Sequence, residues 1–171
     1  MCDIFNVSVE RSGPEAARAG VMVYSDDDGV TWKAGDNVPI RTDWGSQNFN
    51  EPGIVELIDG RFWMYGRTAM GFHAQSWSAD RGMIWSRPEP MVLLGPCSPL
   101  TGETIPETAY TQKMGWAGHL LFTFPNHDFS CFPRQYKYTA RTPLDSAISQ
   151  DGATTWTSVR TIEEDPSVQY G

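Results

Sequence analysis

Between Asn50 and Trp85 the chain alternates short apolar runs with turn signals. Ile54, Val55 and Leu57 are followed by Asp59-Gly60, then by Phe62, Trp63, Met64 and Tyr65, then by a run over residues 72–77 and a glycine-containing turn that closes on Trp85. Runs of this length, rich in β-formers and bounded by Asp-Gly and Gly, predict antiparallel strands joined by tight turns, a four-stranded meander. The meander is read as reaching to about Pro90. Ahead of it, residues 20–24 (GVMVY) predict a strand whose partner ends over residues 38–40, and residues 41–50 read as a polar connector. After it, residues 93–107 predict an inner segment. A connector at Gly115, a strand over 119–124 (HLLFTF), a polar loop over 125–133, a segment over 135–139 and a last strand over 156–162 follow. Residues 1–17 stay open: Ser12-Gly13-Pro14 marks a turn, a short helix over 15–18 is compatible, and the segment either supplies the inner strands of the first unit or leaves them absent.

One turn recurs. Ser25, Asp27, Gly29, Thr31 and Trp32 share their spacing with Ser78, Asp80, Gly82 and Trp85, and with Ser149, Asp151, Thr155 and Trp156. The second copy has Ile84 in the threonine position, and the third has Ala153 in the glycine position with Gly152 one place early. Three copies make an internal repeat. The residue types have a physical reason: Ser and Asp side chains bond backbone groups two or more residues on, Gly tolerates positive φ, and the closing Trp can pack under the hairpin.

Composition adds little to the fold but narrows the partners. Twelve Pro, sixteen Gly and seven Trp in 171 residues fit a turn-rich all-β chain. The length fits one domain with a real core, residues 1–171, with 1–17 as an uncertain N-terminal segment. A formal net charge of −8 argues against a nucleic-acid partner and an anionic membrane surface, and reads first as plain solubility. Cys2, Cys97 and Cys131 are too few, and odd in number, for a disulfide framework and are read as free thiols. No signal-peptide pattern and no apolar stretch of about 20 residues is visible. Cytoplasmic residence is expected, or secretion if the chain is cut from a longer precursor.

Several constellations carry weak chemistry of their own. His119, Asn126, His127 and Asp128 cluster in sequence, but no Cys or His spacing matches a zinc site, so neither metal nor cofactor is expected. Asp26, Asp27 and Asp28 resemble a calcium loop without its closing Glu, and the recurring turn explains them better. His73 reads as a satisfied structural histidine. Trp44, Trp77 and Tyr110 are candidates for stacking on sugar rings, although core packing is the default for such aromatics.

The motif S-x-D-x-G-x-T-W, met at every fixed position by SDDDGVTW at residues 25–32, resembles the Asp-box of sialidases and related propeller proteins. Its surroundings sharpen the resemblance: NEPGIVELIDGRFWMYGRT, PCSPLTGETIPET and RTPLDSAISQDGATTWTSVRTIEEDP are similar, in the same order, to segments of the sialidase-like six-bladed family. The similarity covers roughly residues 18–171. It implies an all-β fold of β-propeller blades, each a four-stranded antiparallel meander with an Asp-box turn. The chain would supply about two and a half to three blades of a ring that normally has about 4 to 8, an incomplete ring.

What the resemblance implies for function is hydrolysis of terminal sialic acids by a tyrosine nucleophile assisted by a glutamate, an exception to the paired-carboxylate scheme of most glycosidases. An aspartate handles protons and three arginines grip the sugar carboxylate. A phenol activated by a carboxylate avoids bringing an anionic nucleophile against an anionic substrate, and planar guanidiniums suit a carboxylate. Carried over by position, Glu51 in NEP is the assisting glutamate, Arg67 in YGRT the second arginine and Arg141 in RTPL the third. Bland alternatives are a solvated loop carboxylate for Glu51 and a surface or Asp-box-paired arginine for Arg67. The first arginine and the aspartate fall upstream of residue 18, where Arg11 is a poor stand-in, and Tyr170 stands about two residues early for the nucleophile. The expected function is therefore sialidase-like glycoside hydrolysis. The alternative is a non-catalytic carbohydrate-binding or assembly module derived from such a propeller. A sialic-acid-like ligand and a homo-oligomer formed through open blade edges are the expected partners.

Overall fold

The computed structural model describes residues 3–10, 18–38, 49–127 and 141–167. Within them, strands β1 (Asp3–Glu10), β2 (Arg18–Ser25) and β3 (Lys33–Asn37) form a three-stranded sheet in that order. Strands β4 (Asn50–Glu56), β5 (Phe62–Arg67), β6 (Phe72–Ser78) and β7 (Glu89–Leu94) form a second sheet, again in chain order. Strands β8 (Thr101–Thr104), β9 (Leu120–Pro125), β10 (Leu144–Ser149) and β11 (Thr157–Glu163) form the third. All pairings are antiparallel. The expected meander is thus the middle sheet, and the third repeats it. The first sheet places its Asp-box turn between its second and third strands rather than its third and fourth, so among the described residues it lacks a counterpart of the innermost strand.

The three recurring turns form the same knot. Ser25, Ser78 and Ser149 each donate from Oγ to the carboxylate two residues on, at 2.8, 2.7 and 2.9 Å, and accept from the backbone N–H four residues on, at 2.8, 2.8 and 3.0 Å. The aspartate then accepts from the backbone N–H of Thr31, Ile84 and Thr155. In the first and third copies it also accepts from the threonine hydroxyl, at 2.6 Å. Neither departure from the motif breaks the knot: Ile84 loses only the hydroxyl bond, and Ala153 takes the left-handed φ of 70° that glycine would have taken. The closing tryptophan is less uniform than expected. Trp85 is 4% exposed, whereas Trp32 is 41% exposed and its indole N–H donates to Gly29 O at 3.1 Å.

Two seams join the sheets. Met22 of β2 packs with Phe49, Phe62, Met64, Ala74 and Trp85 between the first and second sheets. Between the second and third, Trp63 is fully buried with its ring centroid 4.8 Å from Tyr65, 5.6 Å from Phe122 and 5.7 Å from Trp156. Backbone groups cross this seam to side chains. Gly102 N–H donates to Tyr65 Oη at 2.7 Å, and the Trp77 indole donates to Gly152 O at 3.1 Å. Gly102 permits the approach, because a Cβ there would stand 3.0–3.1 Å from Phe122, Trp63 and Tyr65. Trp77, a candidate sugar platform, is therefore a seam residue.

Other boundaries differ from expectation for definable reasons. The middle sheet does not stop near Pro90: β7 runs through it to Leu94, with Pro90 opposite Ala74, because an edge strand needs no N–H on its outer side. The segment 93–107 accordingly shrinks to β8, and β3 ends at Asn37, before the expected 38–40. The connector at Gly115 follows a helix, α1 (Ala109–Met114), that the apolar pattern does not announce because none of its residues is buried. Thr108 caps it through a box closed by Thr111 rather than by Glu or Gln, and Gly115 ends it at φ 70°. No helix among the described residues is long and apolar enough to cross a membrane.

Because each serine Oγ satisfies backbone groups that would otherwise be stranded beside the core, Ser78→Ala and Ser149→Ala should each lower the unfolding free energy by about 1–3 kcal/mol. Urea denaturation at neutral pH measures this, and losses below about 0.5 kcal/mol would show that the knots do not support the sheets.

Candidate active site

The Asp-box turns lie where β2, β6 and β10 end. The opposite rim is where β4 begins, β5 ends, β9 ends and β10 begins, and all three expected site residues map there. Glu51 lies at the start of β4 and Arg67 at the end of β5, and they form an ion pair, Arg67 Nη2 to Glu51 Oε1 at 3.0 Å. The sequence pattern around them explains the geometry. Asn50 pairs with Arg67 but Gly53 already pairs with Tyr65, so two residues of β4 face one of β5, a bulge. Glu51 sits in that bulge with a left-handed φ of 46°, which re-aims its side chain. Gly53 then lets the Tyr65 ring pass, since a Cβ there would lie 2.1 Å from Tyr65 Cζ. The Arg67 side chain is 12% exposed and pairs with Glu51, not with an Asp-box, and Glu51, 52% exposed, belongs to a strand. The Arg67 Nε is buried with no hydrogen-bond partner among the described residues.

His73 stands directly across the β5–β6 pair from Arg67. It is fully buried, with its ring centroid 6.3 Å from Phe122 and 6.2 Å from Phe124, and it lies against Gly95, where a Cβ would come within 1.9 Å of Nε2. The expectation of a satisfied histidine is corrected: neither ring nitrogen finds a partner among the described residues. Burial pushes its pKa down to about 3, so the ring is neutral at ordinary pH.

Arg141 lies half-buried three residues before β10. Just beyond it, Asp145 is 4% exposed and takes a hydrogen bond on Oδ2 from Asn126 Nδ2 at 2.7 Å. Asn126 N–H also donates to Pro143 O at 2.9 Å, tying the end of β9 to the start of β10. Asp145 and His73, with Asn50 and Thr68, are buried polar residues of this rim that sequence reasoning did not assign to it. Asp145 and His73 both stand next to a large apolar residue at the start of a strand that carries further polar residues, so the sequence offers little signal for either.

The comparisons with known proteins follow this geometry. The BNR repeat-like domain family matches residues 7–171. The chain belongs to that family. Among solved structures, the NanB sialidase from Streptococcus pneumoniae matches 95% of this chain and 24% of its own length at 19% identity, with a TM-score of 0.65. A Hadza microbial sialidase matches 96% and 28% at 17% identity, with a TM-score of 0.72. The intramolecular trans-sialidase from Ruminococcus gnavus, solved with oseltamivir carboxylate, matches 94% and 31% at 20% identity, with a TM-score of 0.62. No curated protein matches the sequence. The chain therefore spans about a quarter to a third of the length of these structures. Its sheets are blades of a sialidase-like propeller, a partial one.

Within this BNR repeat-like chain, two cavities among the described residues lie away from the rim. One of about 220 Å³, at the Asp-box end, is lined by Leu57, Asp59, Arg61, Gly118, Asp151 and Gly152 among others, and Arg61 Nε there pairs with Asp59 at 2.8 Å. We place the candidate site at the rim nonetheless, because there a mostly buried arginine pairs with Glu51 beside buried unpartnered atoms of Arg67, His73 and Asp145. Tyr110, 64% exposed on α1, packs edge-on to Trp116 at 6.2 Å, outside the rim. No group of three metal-ligating side chains occurs among the described residues. Arg11, Trp44, Asp128, Tyr170, Cys2 and Cys131 lie outside the described residues, and Cys97 is a buried free thiol.

The titrating groups predict two acid windows for this BNR repeat-like domain. The Asp27 carboxyl is lowered to about 2, first by the Thr31 hydroxyl bond, and Asp80 is lowered first by the Ile84 N–H. Burial alone would raise Asp151, but the bonds from Thr155 and Ser149 win and lower it. Depressed carboxyls stabilise the fold above their ordinary pKa near 4 and lose that contribution as pH falls towards 2. His73 acts earlier: below its ordinary value near 6.5 the unfolded chain gains a proton that the folded one refuses until about pH 3, so stability falls by roughly 1.4 kcal/mol per pH unit. Urea unfolding between pH 7 and 4 should show that slope in the native protein and its loss in His73→Gln. An unchanged slope would assign it to other groups.

Proposed function

We propose that this chain carries the nucleophile-supporting and carboxylate-gripping part of a sialidase-type site, acting on terminal sialic acid or a related anionic sugar. The observation that carries the reading is the Glu51–Arg67 ion pair at 3.0 Å, built at the rim by the bulge in β4. An exposed acid held beside a mostly buried guanidinium has two uses. The Glu51 carboxylate can accept a phenol proton as the phenolic oxygen attacks the anomeric carbon and the glycosidic bond breaks. The guanidinium, with Arg141, can grip the sugar carboxylate, and charge-assisted N–H···O bonds of this kind gain strength as the site closes off from water.

Tyr170 is our candidate for the phenol. The proton-donating aspartate and the further arginine would come from sequence or chains beyond residues 18–167, and we propose that copies associate through their open sheet edges. Strand β11 offers such an edge, with all seven residues exposed.

Titration of the protein with N-acetylneuraminic acid in a calorimeter, beside turnover of a fluorogenic aryl sialoside and light scattering, tests this reading. Binding that weakens at least about tenfold in Arg67→Ala and Arg141→Ala, an average mass above one chain, and turnover abolished by Tyr170→Phe are the expected outcomes. Arg67→Lys should not restore binding, because an ammonium lacks the planar fork. Binding without turnover would favour a carbohydrate-binding module. No binding by the native protein would overturn the reading.

A further inference from the structure

Asp145 is a carboxylate with almost no solvent access, and buried carboxylates are tolerated only when their oxygens are satisfied. Oδ2 receives the Asn126 amide at 2.7 Å, while Oδ1 is buried with no partner among the described residues. The strand around it is held unevenly. On the β9 side the register is continuous from Leu144↔Pro125 through Asp145↔Phe124, whereas on the β11 side it slips between Leu144 and Asp145. Asp145 itself pairs with Phe124 of β9 and Thr161 of β11, and Asn126 adds to the β9 side: its side chain holds Asp145, and its backbone N–H continues the ladder by one residue to Pro143 O at 2.9 Å. Arg141 lies two residues before Pro143.

We infer that Asn126 and Asp145 are positioning residues for Arg141, a buried amide–carboxylate lock that fixes where the chain leaves the rim and so where the guanidinium is presented. Without the Asn126 amide, neither Asp145 oxygen has a described partner, and the carboxylate can regain one only by opening the start of β10 to water. That opening carries Arg141 with it. The inference rests on the proposed role of Arg141, but the lock itself can be read without any ligand.

The experiment is phenylglyoxal modification of native protein, Asn126→Ala and Asn126→Asp, followed arginine by arginine by peptide mass spectrometry. Arg61, at the Asp-box end, serves as the internal reference. The lock predicts that the modification rate of Arg141 changes at least threefold in both variants while that of Arg61 stays put. Asn126→Asp, which sets two carboxylates together, should show the larger change. Equal rates at Arg141 in all three proteins, or parallel changes at Arg141 and Arg61 that signal general loosening, would overturn the inference. Calorimetry with N-acetylneuraminic acid separates the two readings. A changed Arg141 rate in a native protein that binds no sialic acid would leave the lock standing and remove the proposed function. Weakened binding in Arg141→Ala with native-like Arg141 chemistry in Asn126→Ala would do the reverse.

Discussion

The seam centred on Trp63 is the contact on which the rest depends. A four-stranded antiparallel meander has two faces, and neither sheet here can cover its own. The second sheet covers one face with Trp63, Tyr65 and Trp77 against Phe122, Leu120 and Trp156 of the third. Apolar burial on this scale contributes about 25 cal/mol per Å², but apolar contact alone would let the sheets slide. The directional bonds across it, Gly102 N–H to Tyr65 Oη and the Trp77 indole to Gly152 O, fix the register between blades. Sheet register in turn decides what meets at the rim, because the strands that carry the aromatic ladder also carry Arg67 and His73 at their ends.

This division of labour along each strand is the structural logic of the chain. Toward one end sit the Asp-box knots, whose bonds are local and whose sequence signal is correspondingly compact. Along the middle sit the alternating aromatics of the seam. At the far end the strands release into longer connections, and there Arg67 Nε, both nitrogens of His73 and Oδ1 of Asp145 are buried without described partners, as Trp85 Nε1, His119 Nδ1 and Trp156 Nε1 are towards the Asp-box end. Buried polar atoms in a native protein call for an explanation, and perturbed or unsatisfied groups tend to gather where function needs them.

Legibility in the sequence followed the range of the interactions. The knots were readable because Ser, Asp and the closing Trp lie within eight residues of one another, and they survive even where Ile84 and Ala153 depart from the motif. The strands over residues 54–78 were readable because apolar runs and Asp-Gly turns are local too. Helix α1 was not, since an exposed six-residue helix has no apolar face to announce it. Nor was the continuation of β7 through Pro90, because whether a strand lies at an edge is decided by what pairs with it. At the rim, Glu51 and Arg67 were legible through resemblance alone; their contact depends on a bulge that no single residue encodes. His73 and Asp145 lie in strands that carry other polar residues, and that both are buried with unsatisfied atoms is a property of the packed sheets.

The left-handed backbone at Glu51 has a consequence for how such a chain can change over time. A non-glycine residue with φ near 46° carries strain on the order of 1 kcal/mol, which glycine would relieve. Position 51 is thus a place where stability and chemistry pull in opposite directions. Replacing the glutamate by glycine would firm the fold and at the same stroke remove the acid beside Arg67.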